Sequence, residues 1–561
     1  MTDEVITPLP IGVENFEDMI KNGYYYVDKT LLIKEYLDKR GKVDVFTRPR
    51  RFGKTLNISM FQHFFDIQYA DKKHLFDGLN ISQIGEEYLS HQNKYPVIKL
   101  GFKDVHGSNF KEALEMLKPA VAWEYDRHSY LLESPKLPEH EKELFKKFWM
   151  RAANEEEYTG CLTFLSICLK KHYEENVIIL IDEYDVPLEK AFFGGYYDDM
   201  VNFIRIFYSN ALKTNDALGF SIITGCLRVS KESIFTGLNN LNVISISSTR
   251  YDEYFGFTEI EVKTILEHYS LEHKEEEMRN WYNGYQFGNA TVYNPWSSIK
   301  YVADMTDGMP FANPHWSNTS SNEIIKDLIK ISDDEVKKEI EILIAGGTIT
   351  KPVKEDVIYA EIKTNMDNLW SFLYFTGYLK KVSRTQIGVH NHIELKIPNN
   401  ELQFVYETKI IEWFDERIRA TDLSKLYAAV LTQDVATMED EINEMLSETI
   451  SYMDSHENFY HGFLTGILRG IKGYITKSNR ETGNGRGDIL LRPVSIRKPA
   501  VVFEVKVANA AKDLVSKSDD ALAQISKKKY DDELLHEGYA DVIKYGIAFY
   551  RKDCLIKISQ S

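Results

Sequence analysis

At 561 residues the chain is too long for one ordinary hydrophobic core, so three or four domains are expected. Hydrophobic content of 43% with 13% aromatic residues excludes a disordered chain, and no window of roughly 18 or more uninterrupted apolar residues offers a membrane span. A formal charge of −17 argues against coating of nucleic acid by the whole molecule; four cysteines without a C-x-x-C pair suggest neither a disulfide framework nor a zinc knuckle.

The start, MTDEVITPLPIGVENFEDM, is acidic and lacks a basic stretch followed by an apolar one, so a cytoplasmic protein is expected. A helical pattern then runs through Leu37. The stretch Val43 to Phe65 reads as strand, tight loop, Gly53-Lys54-Thr55 and helix, with Leu56, Met60, Phe61 and Phe64 at the spacing of one helix face. Amides at a helix start point outward unpaired and the helix dipole adds positive charge there, so a phosphate chain fits. Lys54 would reach the β/γ-phosphates and the Thr55 hydroxyl would hold Mg²⁺. Arg48 stands where the consensus G-x-x-x-x-G-K-[ST] has its first glycine, which normally permits the sharp turn into the loop. Arg50 and Arg51 could add charge near phosphate, or form structural ion pairs.

Tyr95–Phe102 reads as a strand, and residues 108–175 read mostly helical. Val177–Ile181 is an uninterrupted apolar run, as in a strand buried on both faces of a parallel sheet, and it ends in Asp182-Glu183-Tyr184-Asp185. There Asp182 could hold Mg²⁺ and Glu183 could orient or deprotonate water, although any buried strand must end in something polar. Further runs at Phe220–Thr224 and Val243–Ser247 complete five strands alternating with helices, the pattern of a parallel α/β sheet. Thr224 and Arg228 are candidate γ-phosphate sensors, or equally a strand cap and a solvated arginine.

From Tyr251 to about Asn322 helices alternate with aromatic loops around Trp281 and Trp296, read as a packed lid, and residues 323–450 read as helical and acidic. The last 111 residues change character: 18 Lys and Arg against 14 Asp and Glu give a net of +4 on a body of −21. Their order reads helix Glu457–Tyr474, strand Ile489–Leu491, strand Val501–Val507, helix Asp519–Leu535 and strand Ile543–Tyr550. Fifteen residues separate Asp488 from Glu504, and Glu504 and Lys506 are two apart, on one face of a strand. Two carboxylates and an ammonium converging on one spot are costly unless a divalent metal compensates; such a metal can activate water against a phosphodiester while Lys506 balances charge. Gln524, Tyr530 and a further ligand at Glu457 belong to the same candidate region. Lys527-Lys528-Lys529 could face a nucleic-acid backbone or simply solvent.

RPRRFGKT (48–55), LIDEYDVPL (180–188), TGCLRVSKESIFTGLNNL (224–241), WYNGYQFG (281–288), VYNPWS (292–297), GRGDILL (485–491) and FEVK (503–506) together resemble a bacterial family. Its members are described as AAA-ATPase-like proteins with a C-terminal PD-(D/E)XK nuclease-superfamily domain. The resemblance makes Arg48 a family trait. It implies an α/β fold: a P-loop NTPase sheet of the ASCE/AAA-like type with a helical lid, a helical connector, and a smaller PD-(D/E)XK-like domain. It implies that Asp182 and Glu183 lie on the strand neighbouring the phosphate-loop strand once the inserted order is considered. Asp488, Glu504 and Lys506 carry over as the nuclease residues, with Gln524 like the helix glutamine of many members.

The expected organisation is an ATPase with its lid over 1–325, a connector over 326–450 and a nuclease-like domain over 451–561. The expected cofactors are ATP and Mg²⁺, and the expected partner is nucleic acid, DNA first, without a membrane. ATP would rearrange the connector and gate the nuclease centre. An arginine from a second copy could complete the ATP site, making a homo-oligomer. Two alternatives stand beside this reading. One is a nucleotide-switched module that binds nucleic acid or protein through an inactive nuclease fold. The other is GTP as the nucleotide, weaker because no N/T-K-x-D motif follows a late strand.

Overall fold

The computed structural model describes residues 7–227, 234, 240–316, 325, 334–355, 366–388, 390–447, 457–478, 488–495, 497–528, 534, 538–539 and 541–560. The chain forms two compact units: Met1–Thr319 with Thr348–Phe404, and Ser320–Gly347 with Val405–Ser561. The stretch 326–450 is thus divided between them.

In the first unit, β1 (Val43–Thr47) is buried at all five positions and runs into α1 (Lys54–Phe65). β2 (Val97–Gly101) precedes α2 (Phe110–Arg127), and α3 (Cys161–Tyr173) precedes β3 (Val177–Asp182). α4 (Val186–Gly194) and α5 (Tyr197–Leu212) follow, then β4 (Leu218–Gly225) and β5 (Leu241–Ile244). All pairings are parallel, in the order β2-β3-β4-β1-β5. Parallel neighbours need crossover helices, and these cover the sheet, so β3 is apolar and buried along its whole length. The five expected strands are present. Asp182 is one strand further from the phosphate loop than a direct neighbour would be, because β4 stands between β1 and β3.

The same unit continues through a short hairpin, β6 (Tyr285–Phe287) with β7 (Ala290–Val292), and α6 (Pro295–Thr306). It then adds an antiparallel sheet, β8 (Ile349–Pro352), β9 (Lys380–Ile387) and β10 (His390–Lys396), in the order β8-β10-β9. A helical reading of 323–450 does not include this sheet. Nearly all of β9, KKVSRTQI, faces water, so it carries no hydrophobic alternation to betray it. Its pairing with β10, where Ile393 and Leu395 are buried, decides its conformation. α7 (Asn400–Ala420) follows.

In the second unit, α8 (Glu457–Leu468) leads to β11 (Tyr474–Ser478), β12 (Asp488–Pro493) and β13 (Ala500–Val507). α9 (Leu514–Lys528), β14 (Val542–Tyr550) and β15 (Asp553–Gln560) complete it. The sheet runs β11-β12-β13-β14-β15, with only β13 and β14 parallel. Sequence pattern misses both edges: β11 begins at the last residue of the expected helix and runs on through a stretch given no element, and β15 follows the last expected strand. α9 packs Ile525 against Val502, Leu490 and Val542 on one face. α8 covers the other, with Tyr460 stacked on Phe549 at 4.3 Å. Among the described residues no helix is long and apolar enough to cross a membrane.

Candidate functional site

The loop between β1 and α1 makes its turn without a glycine at its start. Its left-handed residues are Arg51 (φ 69°) and Gly53 (φ 75°), and position 48 is not among them, so an arginine costs nothing there. Arg48 is instead a strut. Fully buried, its guanidinium donates to the carbonyls of Thr47 and Ile244 at 2.9 Å and of Tyr251 at 3.3 Å. It also lies 5.0 Å from the Phe255 ring centre, and burial works against its charge. These bonds tie the ends of β1 and β5 below the loop.

At the loop's far end, Gly53 opens α1, and a Cβ built on it would meet open space. The amides of Gly53, Lys54 and Thr55 form no hydrogen bond among the described residues, leaving the orphan donors that a phosphate chain satisfies. Lys54 is buried, and its ammonium donates to the carbonyls of Arg48 at 3.0 Å and Pro49 at 2.8 Å. Thr55 is half-buried on the same first turn. Arg50 is paired with Glu189 at 2.7 Å, and Arg51 lies over the Trp296 ring at 4.6 Å. The residues present thus fit a nucleotide's phosphates.

Asp182, buried at the end of β3, accepts a hydrogen bond from the Thr224 hydroxyl on β4. The strand inserted between β1 and β3 therefore supplies the residue that orients the carboxylate. Glu183 sits in a left-handed conformation (φ 56°), which turns the chain sharply out of β3. Burial pushes its carboxyl up, Lys54 opposes this, and Asp182 and Asp185 add to it. Arg228 lies outside the described residues.

Three residues that sequence reasoning left aside belong to this site. Asp185, 1% exposed, accepts the amides of Cys226 and Leu227 at 2.8 and 2.9 Å, pinning the turn after β4. The D-E-Y-D run contained the signal, since a second carboxylate after a strand needs a partner once buried. Glu189 gave no signal before α4 was placed. Glu401, fully buried at the start of α7, accepts the Ser297 hydroxyl and the Trp316 amide at 2.9 Å. Gly377 meanwhile packs so closely that a Cβ would come within 2.9 Å of Pro49. Residues far downstream thus enclose the phosphate loop.

Glu401 carries a pH prediction. Burial pushes its carboxyl up to about 7 from an ordinary value of 4.5, against hydrogen bonds that lower it. The folded chain therefore holds the proton more tightly than the unfolded chain does. The stability this contributes is complete below about pH 4.5 and is lost as pH rises through about 7, a swing of about 3 kcal/mol. Melting temperature should fall between pH 5 and 8 in wild type and fall less in Glu401→Gln; equal slopes would refute the assignment.

In the second unit, Asp488 and Glu504 are direct cross-strand partners on β12 and β13. The side chain of Asp488 and that of Glu457 lie outside the described residues, as do Lys529 and Tyr530. Glu504 is fully buried, and among the described residues neither carboxylate oxygen has a hydrogen-bond partner. Among the same residues the charge beside it is Lys506, whose Nζ stands 3.1 Å from Oε1. A buried carboxylate with unused lone pairs is unfavourable on its own and matches the donor chemistry of a divalent cation. Among the described residues no group of three or more His, Cys, Asp or Glu forms a metal cage.

Glu504 shares the sheet face of Leu490 and Val502, the face α9 covers. In the same register row β14 has Gly546, whose Cβ would come 2.5 Å from the Ser518 carbonyl. The missing side chain lets α9 approach within reach of the carboxylate row. Gln524 on α9 is half-buried and Lys527 is exposed. α8, which carries Glu457, covers the opposite face.

Comparison with known proteins agrees with this division. Residues 10–235 match the family model described as predicted AAA-ATPase, and residues 455–558 match that of the PD-(D/E)XK nuclease superfamily. A curated relative from Azotobacter chroococcum mcd 1, described as an uncharacterized protein in the vnfD 5′ region, is 24% identical over 543 residues, covering 94% of each chain. With the strand order and the phosphate loop in view, residues 10–235 are similar to the predicted AAA-ATPase family and residues 455–558 to the PD-(D/E)XK nuclease superfamily.

Proposed function

We propose that the protein binds and hydrolyses ATP with Mg²⁺ at the loop between β1 and α1, and cleaves nucleic acid, DNA first, at a metal-dependent centre on β12 and β13. In the first centre Gly53, Lys54 and Thr55 hold the triphosphate, with Arg50, Arg51, Thr224 and Arg228 around it. Thr55 and Asp182 would hold Mg²⁺, and Glu183 takes the proton of the attacking water. In the second, Asp488 and Glu504 would hold the metal, and the Lys506 ammonium balances charge on the phosphodiester. A divalent ion, when bound, supplies Lewis acidity and a more acidic water. The division of labour is an ATPase to about residue 325, a connector over 326–450 and a nuclease-like domain from 451.

The observation that carries the hydrolytic reading is Glu504, buried without a hydrogen bond among the described residues, beside Lys506 and in register with Asp488. A fold kept only for binding has no need to retain that charge. The matched test measures ATP turnover and Mg²⁺- or Mn²⁺-dependent DNA cleavage on wild type, Lys54→Ala and Glu504→Ala. Lys54→Ala should lose turnover, while Glu504→Ala should lose cleavage and keep turnover. Wild-type cleavage by Glu504→Ala would discard the nuclease centre in favour of a nucleotide-switched binding module.

A further inference from the structure

Arg48 apart, the three remaining cations of the phosphate loop have different partners. Lys54 rests on carbonyls of its own loop. Arg51 lies on the Trp296 ring and donates to the His315 carbonyl at 3.3 Å. Arg50 is engaged by a carboxylate: its Nη2 donates to the two oxygens of Glu189 at 2.8 and 2.7 Å.

Glu189 comes from the first turn of α4, the helix that begins directly after Asp185. The Glu189 and Arg50 side chains are 17% and 32% exposed. The pair is therefore partly desolvated but open enough to exchange. Arg50 belongs to the same loop as Lys54, whose ammonium donates to the carbonyl of Pro49, the residue before Arg50.

To a guanidinium, a carboxylate and a terminal phosphate offer the same thing: anionic oxygens arranged to accept charge-assisted hydrogen bonds. We propose that Glu189 is a positioning residue that stands in for the terminal phosphate, holding Arg50 at the rim of the loop until a nucleoside triphosphate displaces it. The proposal rests on the phosphate-loop reading above. A triphosphate brings an anion that both competes for Arg50 and repels Glu189. A diphosphate ends one phosphate short and leaves the Arg50–Glu189 pair closed. Glu189 thereby weakens triphosphate binding selectively, and it takes Arg50 back once the terminal phosphate has left.

The test is binding rather than turnover: displacement of a fluorescent nucleotide by ATP or ADP with Mg²⁺, on wild type, Glu189→Gln, Arg50→Ala and the double variant. Glu189→Gln should tighten ATP about 10-fold and ADP by less than about twofold, and in the Arg50→Ala background it should change neither by more than about twofold. Glu189→Ala is measured beside it, since glutamine retains an acceptor for Arg50; the same split is expected, and melting temperatures check that each variant is folded. Unchanged ATP affinity in both Glu189 variants overturns the proposal. So does equal tightening with and without Arg50, which would mark a general field effect. The underlying reading fails separately, if Lys54→Ala binds ATP as wild type does.

Discussion

Glu504→Gln is expected to unfold at a higher temperature than wild type while losing metal-dependent cleavage by at least about 100-fold. The wild-type carboxylate is fully buried and, among the described residues, has no hydrogen bond at either oxygen. An unsatisfied buried charge costs more than an unsatisfied amide. Among the described residues the offset comes from Lys506, whose side chain is 20% exposed, so it can return to water when its partner is neutralised. A gain of about 1–3 kcal/mol follows, a shift of a few degrees in the transition of the second unit. Millimolar Mn²⁺ or Mg²⁺ should raise the wild-type midpoint and leave the variant unmoved, because binding to the folded state alone stabilises it. A variant that unfolds earlier than wild type, with or without metal, would make Glu504 a structural residue and remove the metal assignment.

Lys54→Ala should abolish the stabilisation that ATP gives the wild type. At a nucleotide concentration 100 times the dissociation constant, linkage stabilises the folded state by about 2.7 kcal/mol. The variant, with affinity reduced at least about 100-fold, would retain well under half of that. Without nucleotide the loss should be small, about 1 kcal/mol, since the ammonium's partners are the loop carbonyls of Arg48 and Pro49 and the Cys226 thiol. The contrast separates a residue that serves ligand from one that serves the fold. Equal ATP-induced shifts in variant and wild type would remove the loop from the nucleotide reading.

What was legible in the sequence was local. Gly-Lys-Thr after a strand, carboxylates after an aliphatic run, and Glu-Val-Lys on an apolar strand each lie within a few residues, where backbone periodicity fixes direction. Arg48 was legible only as a departure from consensus. Its acceptors on Thr47, Ile244 and Tyr251 explain it, and two of them lie roughly 200 positions away in the chain. β9 and β15 were not legible, the first because water-facing side chains leave no alternation, the second because an edge strand takes its definition from its pairing with β14.

By itself the sequence determined the α/β class and marked the two candidate sites, because residue type and short-range spacing are enough to single out a Gly-Lys-Thr turn after a strand or a carboxylate-bearing strand. Only the tertiary structure decided which groups meet. It set β4 between β1 and β3 so that Thr224 reaches Asp182, closed Arg50 onto Glu189, buried Glu401 against Ser297 and Trp316, and set Asp488 in register with Glu504. The physical reason is burial: a charge's behaviour depends on what replaces its water, and residues distant in sequence supply those replacements.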